Sequence, residues 1–332
     1  MNYIGSKLKL CQEFIPQTIK AVCGSDLSEK TFCDLFAGTG IVGRTFKTRV
    51  KKVIANDIEY YSYVLNKNYI ENHEEIADKH CYIDALNCAE LIDDGFIYKN
   101  YCLGGSGSRQ FFSDHNGKKI DSIRTQIKKW QESCEITPEL YYFLLCSLLE
   151  SADKVANTAS VYGAYLKHLK NSARKELVLL GSDFELNSNK HEVYQEDANT
   201  LITKIEGDIL YLDPPYNTRQ YGANYHLLNT IARYDDFVPK GKTGLPDYNR
   251  SKYCSSSSVA DQFDNLVRNA NFKYIFLSYN NEGLMSSAEI QKIMSRYGRY
   301  DVAKTEYQRF KADSGRKNKF SATTEYLHIL EK

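Results

Sequence analysis

The tightest constraint on the fold is local. An apolar run at residues 31–36 leads straight into a glycine turn at 37–40, and a helical pattern at 41–48 follows at once. A second apolar run, Lys52–Asn56, ends at Asp57, and residues 60–71 again read as a helix. Strands alternating with helices predict an α/β fold with a parallel sheet, because parallel neighbours need a crossover between them. Residues 38–43, Gly-Thr-Gly-Ile-Val-Gly, fit a ligand-binding glycine turn, in which missing Cβ atoms let a ligand lie against the backbone. Asp57 stands where an acid can accept from two ribose hydroxyls, a geometry that serves NAD and S-adenosylmethionine alike. A turn that merely packs a helix on a strand would also explain the glycines. Asp34 narrows the choice, since a carboxylate near the turn suits a cationic ligand and repels a pyrophosphate. An ordinary strand-end acid remains the other reading.

The middle of the chain has a different character. Gly104, Gly105 and Gly107 mark a loop, and Ile120, Ile123, Ile127 and Trp130 then recur at helical spacing. Thr137 and Pro138 form an N-cap and first-turn pair for a further apolar helix. A stretch rich in Lys, Arg and His follows at 167–175. Residues 90–187 are therefore expected to form a helical insert between core segments 1–89 and 188–332. Strand and helix alternation resumes at Glu192. Apolar runs at 209–212 and 274–278 read as strands, with an amphipathic helix carrying Val259, Phe263, Leu266 and Val267 before the second. Two more strands are expected near Val302 and at 325–330, with a basic turn of Arg316, Lys317 and Lys319 between them.

At 332 residues, with 42% hydrophobic and 26% charged residues, the chain can bury a large core. Lys and Arg total 43 against 42 Asp and Glu, so any polyanion must be met by local basic patches rather than by global charge. No stretch approaches the length of a membrane span. The nine cysteines are dispersed without a Cys-x-x-Cys pair, which fits reduced thiols in the cytoplasm and no metal site.

The most specific chemistry lies at residues 213–216, Asp-Pro-Pro-Tyr, directly after the run at 209–212. Two prolines at a strand exit fix the backbone and remove two donors, leaving carbonyls as acceptors. A carboxylate and a rigid carbonyl can each take one hydrogen of an exocyclic amine, drawing its lone pair out of conjugation. Tyr216 offers a face on which a planar base can stack, a contact worth roughly 1–3 kcal/mol. A plain turn is the alternative, but it leaves the glycine loop and its acid unexplained.

Taken with Asn2-Tyr3-Ile4-Gly5-Ser6-Lys7, the 36–40 loop and Asn56-Asp57, the Asp213–Tyr216 tetrapeptide resembles the alpha-group, Dam-like site-specific DNA adenine-N6 methyltransferases. The order of these motifs, with a large insert before the last, is that of the alpha group. The resemblance spans the chain and is looser in the insert. It implies a Rossmann-like S-adenosylmethionine-dependent methyltransferase core with a mostly helical target-recognition insert. It also implies S-adenosylmethionine bound by Tyr3, Lys7, Asp34, Phe36, Gly38, Gly40, Asp57, Asp197 and Asp213. Asp213, Pro214, Pro215 and Tyr216 are the expected catalytic residues, acting on an adenine flipped out of double-stranded DNA. Lys167, Lys170, Arg174, Arg219 and Lys317 are expected DNA contacts. The expected setting is restriction–modification, with any cognate endonuclease encoded separately and no membrane partner. An RNA adenine methyltransferase and a non-catalytic DNA-binding subunit are the rival readings; a nicotinamide dehydrogenase leaves the tetrapeptide without a role.

Overall fold

The computed structural model describes residues 6–308 and 322–332, so Tyr3 and the basic turn at Arg316, Lys317 and Lys319 lie outside the described residues. Seven strands form one sheet: β1 (Thr31–Asp34), β2 (Lys52–Asn56), β3 (Glu192–Tyr194), β4 (Glu206–Leu212), β5 (Asn271–Asn280), β6 (Arg299–Gln308) and β7 (Ala322–Glu331). Their spatial order is β3-β2-β1-β4-β5-β7-β6. The first five strands are mutually parallel, as the strand–helix alternation predicts. The last two are not. β7 runs antiparallel to β5 and to β6, so the later strand lies between the two that precede it.

The chain divides into two compact units. The sheet unit takes the described residues up to 73, residues 187–220, and those from 250 onward. Its inner strands are apolar at consecutive positions because both faces are covered. Cys33, Leu210, Leu212, Ile275 and Leu277 pack with the helices Val259–Asn269 and Ser287–Met294 on one face. On the other, Phe32, Ile209, Tyr211 and Phe276 meet the helices Phe14–Cys23 and Ile41–Phe46. This is the expected Rossmann-like α/β core. The expected helix at 60–71 is α-helical over Tyr60–Asn66 and then widens into a π-helical turn, Lys67–Glu71. Fully buried Lys47 closes that turn, donating to the carbonyls of Tyr69 at 3.0 Å and Asn72 at 2.5 Å.

The helical unit comprises residues 74–186 and 221–249. It therefore starts earlier than the expected residue 90 and takes in a second segment that the sequence reading gave to the core. The helix Asp114–Glu132 supplies the reason. Arg124, buried in that helix, donates to the carbonyls of Ile231 at 3.1 Å and Ala232 at 3.0 Å, capping the helix His226–Arg233. Leu227, Leu228 and Ile231 of the capped helix are wholly buried. Thr137 and Pro138 do begin the helix Pro138–Val155, with the Thr137 hydroxyl accepting from the Leu140 N–H.

A charged donor shared by helix-end carbonyls is costly to remove once the site is buried. Arg124→Met should lower stability by about 2–4 kcal/mol. Hydrogen exchange at residues 226–233 should accelerate strongly while the amides of β4 and β5 keep their protection.

Candidate active site

Parallel strands deliver their carboxyl ends to one edge of a sheet, and a ligand crevice opens where the strand order reverses, here between β1 and β4. Asp34 ends β1, Asp57 follows β2 and Asp213 follows β4. The Asp34 carboxyl is subject to the charges of both Asp57 and Asp213.

The glycine turn is pinned from three sides. Gly38 and Gly40 have φ of +53° and +77°, the left-handed region that favours glycine. The Gly38 N–H donates to Asp57 Oδ2 at 2.8 Å, and the Ala37 N–H donates to the Asn56 carbonyl at 2.9 Å. The Gly38 carbonyl accepts from Ser62 Oγ at 2.5 Å and Asn66 Nδ2 at 3.2 Å. A Cβ at Gly40 would stand 2.7 Å from Asn66 Oδ1, so no other residue fits this turn without displacing Asn66. Ser62 and Asn66 are absent from the expected site. Their signal was a polar pair at i and i+4 on a helix whose other buried positions include Tyr61, Val64 and Leu65.

The three acids are satisfied unequally. Asp57 accepts the Gly38 N–H at Oδ2 and the Glu59 N–H at Oδ1, 2.9 Å away. Burial raises its pKa, and these backbone donors oppose the rise. Asp34 accepts the Gly43 N–H at Oδ2, 3.0 Å away, while its buried Oδ1 has no hydrogen-bond partner. Burial pushes the Asp34 carboxyl up to about 7, against the pull of that amide.

At the exit of β4, Asp213 stands beside a lysine that is itself buried. Lys7 Nζ lies 3.3 Å from Asp213 Oδ1 and 2.5 Å from Glu325 Oε1, and 5.7 Å from the centre of the Tyr216 ring. The Asp213 contact is an ion pair without a well-formed hydrogen bond, and buried Oδ1 is left with no hydrogen-bond partner. Burial raises the Asp213 carboxyl to about 7, with Lys7 pulling it down and Glu325 pushing it up. For Lys7 burial works against the charge, yet the two carboxylates hold its pKa well above the usual lysine range. Tyr216 sits edge-on to Tyr279, ring centres 6.2 Å apart, and its carbonyl accepts from the Leu284 N–H at 3.0 Å.

Other expected residues are placed less directly. Phe36 lies edge-on to Tyr253 at 5.1 Å, and the Tyr253 hydroxyl donates to Asn199 Oδ1 at 2.8 Å. Asp197 is exposed and serves as the N-cap of the helix Ala198–Leu201, its Oδ1 accepting from the Thr200 N–H. In the helical unit Lys167 and Arg174 are exposed, and Arg174 Nε donates to the Leu169 carbonyl. Lys170 Nζ instead donates to the Thr158 carbonyl at 2.7 Å, which commits its charge to fastening a loop. Arg219 of the sheet unit is exposed. Among the described residues no group of His, Cys, Asp and Glu could hold a metal ion, and no helix is long and apolar enough to cross a membrane.

The edge thus gathers Asp34, Asp57, Asp213 and Glu325 with the ammonium of Lys7. Two of the carboxylates keep a buried oxygen open, at Asp34 and Asp213. Such a surface fits a ligand with a sulfonium and an ammonium and rejects a pyrophosphate, which separates S-adenosylmethionine from a dinucleotide.

The sequence pattern of the D12 class of N6 adenine-specific DNA methyltransferases matches residues 3–293. The Type II methyltransferase M.NlaIII of Neisseria lactamica is 60% identical across all of this chain and 99% of its own. M.CviAII of Paramecium bursaria Chlorella virus 1, another Type II methyltransferase, is 36% identical over 94% of this chain and 93% of its own. M.FokI of Planomicrobium okeanokoites is 38% identical over the whole chain, which spans 53% of that longer relative.

Asp34 offers a test of the charge argument. Its folded pKa lies above the unfolded value, so ionisation opposes folding, and the penalty builds from about pH 4 to its full size above about 7. The unfolding free energy of Asp34→Asn minus that of wild type should rise across this interval and then flatten. The rise should be at most roughly 4 kcal/mol, about three pKa units. The same variant should bind S-adenosylmethionine at least about tenfold more weakly by calorimetry, having lost a charge worth more than 1.4 kcal/mol to a cation.

Proposed function

The chain belongs to the D12 class of N6 adenine-specific DNA methyltransferases, and on that footing we propose how its residues carry out the transfer and how it finds its substrate. Adenine N6 is held within the base stack of duplex DNA, so the target nucleotide must be flipped out, at a cost of a few kcal/mol. Tyr216 stacks on the extruded base. Asp213 Oδ1 and the Pro214 carbonyl each accept one amino hydrogen, which pulls the nitrogen lone pair out of the ring and aims it across the crevice. The observation that carries this assignment is the open, buried Oδ1 of Asp213, held beside a lysine at the end of β4.

S-Adenosylmethionine, when bound, supplies an electrophilic methyl group on sulfur. The glycine turn and Asp57 would hold the ribose end of that ligand, Asp34 would meet its ammonium, and Phe36 with Tyr253 would line the neighbouring slot. The adenine nitrogen would form the new N–C bond as the C–S bond breaks, its electron pair going to sulfur to leave S-adenosylhomocysteine, and one N6 proton would pass to solvent. The amine itself is the nucleophile, so no covalent enzyme intermediate is required. The protein contributes position and a preset field around a charge that disappears during the step.

Its relatives' printed names support a modification enzyme of the Type II kind; we place it in the cytoplasm, with any endonuclease as a separate partner. The helical unit, with exposed Lys167 and Arg174, is our candidate for reading the DNA sequence, and Arg219 for a phosphate contact.

Nucleosides from unmethylated duplex DNA, incubated with protein and S-adenosylmethionine, should yield N6-methyladenine by mass spectrometry. Asp213→Ala should lower the single-turnover rate by at least about 10²–10³-fold while the fold survives. Retention of most of the rate would sink the assignment. The acceptor must be ionised, so the wild-type rate in the free-enzyme-limited regime should rise with pH, tenfold per unit, and level off above about 7.

A further inference from the structure

Glu325 enters none of the steps above, yet it makes one of the closest contacts at the site. It projects from β7 and reaches a lysine 318 residues away in sequence, with both side chains buried. Its Oε1 takes Lys7 Nζ at 2.5 Å and also accepts from Ser278 Oγ at 2.9 Å. Ser278 lies opposite Leu327 in the β5–β7 ladder, which puts it on the same sheet face as Glu325, one diagonal step away. Two paired strands therefore fix where this carboxylate sits.

A buried Lys–Asp pair could satisfy itself without a third group, and a lone pair would close into a direct, charge-assisted hydrogen bond. Here it does not close. The ammonium is drawn to Glu325 and stays 3.3 Å from Asp213. A closed pair would put a lysine hydrogen on the oxygen that has to accept from the substrate amine. An absent lysine would leave Asp213 with burial and Glu325 both favouring its neutral acid. The observed arrangement avoids both outcomes.

We propose that Glu325 is a positioning residue for methyl transfer: with Ser278 it captures the Lys7 ammonium, so that the cation supports the charge of Asp213 while leaving Asp213 Oδ1 open for the adenine amino group. This rests on the reading of Asp213 as the amine acceptor. The cluster then carries one ammonium and two carboxylates, a net charge of −1, and a sulfonium brought near it brings the sum to zero.

The test is a double-mutant cycle on the full chain, with duplex DNA and S-adenosylmethionine, read by single-turnover rate and by separate DNA and cofactor titrations. Glu325→Gln keeps an acceptor of the same shape but removes its charge, so Lys7 should close on Asp213. The rate should fall on the order of 10–100-fold, with the DNA dissociation constant within about threefold of wild type. Lys7→Met should also be slow, and adding Glu325→Gln to it should cause no further loss, because the lysine on which Glu325 acts is gone and the charge that favours the neutral acid of Asp213 goes with it. A purely structural glutamate would give multiplicative losses instead, which would overturn the proposal, as would a Glu325→Gln enzyme with wild-type rate. If thermal melting shows that Glu325→Gln does not fold, Ser278→Ala provides the same comparison. Its expected loss is smaller, about three- to tenfold, and should again vanish beside Lys7→Met; persistence of that loss refutes the inference. Asp213→Asn runs in parallel. If it keeps its rate, the acceptor reading itself has failed; if it is dead while Glu325→Gln is unaffected, only the role of Glu325 falls.

Discussion

Everything at the carboxyl edge of the sheet answers one electrostatic problem, the burial of several carboxylates around a single ammonium. An unpaired buried carboxylate costs several kcal/mol, and such groups usually shed their charge. Here each acid has a different solution. Asp57 is given two backbone N–H donors and Asp34 one. Asp213 is given a lysine that it shares with Glu325. The glycine turn follows from the same requirement, since the left-handed Gly38 and Gly40 are what present an amide to Asp57 and leave room for Asn66. Two of these acids, Asp34 and Asp213, are left incompletely satisfied, each with one buried oxygen open.

The helical unit relies on buried polar fasteners of another kind. Asp121 accepts the N–H groups of Ile97 and Tyr98 and the hydroxyl of Tyr234, so one carboxylate caps the helix Phe96–Tyr101 and holds the later segment. Arg124, three residues on, caps the opposite kind of helix end. Acid at an amino terminus and base at a carboxyl terminus is the arrangement that helix dipoles favour. Asn157 spans Gln110 and Leu166 in the same way. Bonds of this type specify geometry more tightly than apolar contact.

Most of the sheet was legible because buried parallel strands leave short apolar runs between glycine and acid punctuation. Residues 31–36, Lys52–Asn56 and 209–212 all carried that mark, and each delivers a site acid. The helix beginning at Pro138 was legible from its cap. What stayed hidden depends on partners far away in sequence. Nothing around Glu325 distinguishes it from any acid on a strand, since its meaning lies in Lys7. Ser62 and Asn66 look like ordinary helix polar residues until the Gly38 carbonyl is placed above them. The segment at 221–249 reads as core by position, and only Arg124 shows to which unit it is bound. Lys170 shows the same dependence on distant structure: its place in a basic run carries no sign of the hydrogen bond that its ammonium gives to the Thr158 carbonyl.

The placing of β7 between β5 and β6 also bears on how the chain is made. Synthesis finishes β5 first, then β6, and β6 has no neighbour in the sheet until β7 emerges. Between Asn280 and Glu331 the ribosome needs roughly 3–10 s at ordinary elongation speeds, and throughout that interval the edge of β5 is open. That edge carries Ile275, Phe276 and Leu277, an invitation to pair with a neighbouring nascent chain. The strand that closes it also delivers Glu325, so a newborn molecule loses its exposed edge and completes its charge cluster in the same event.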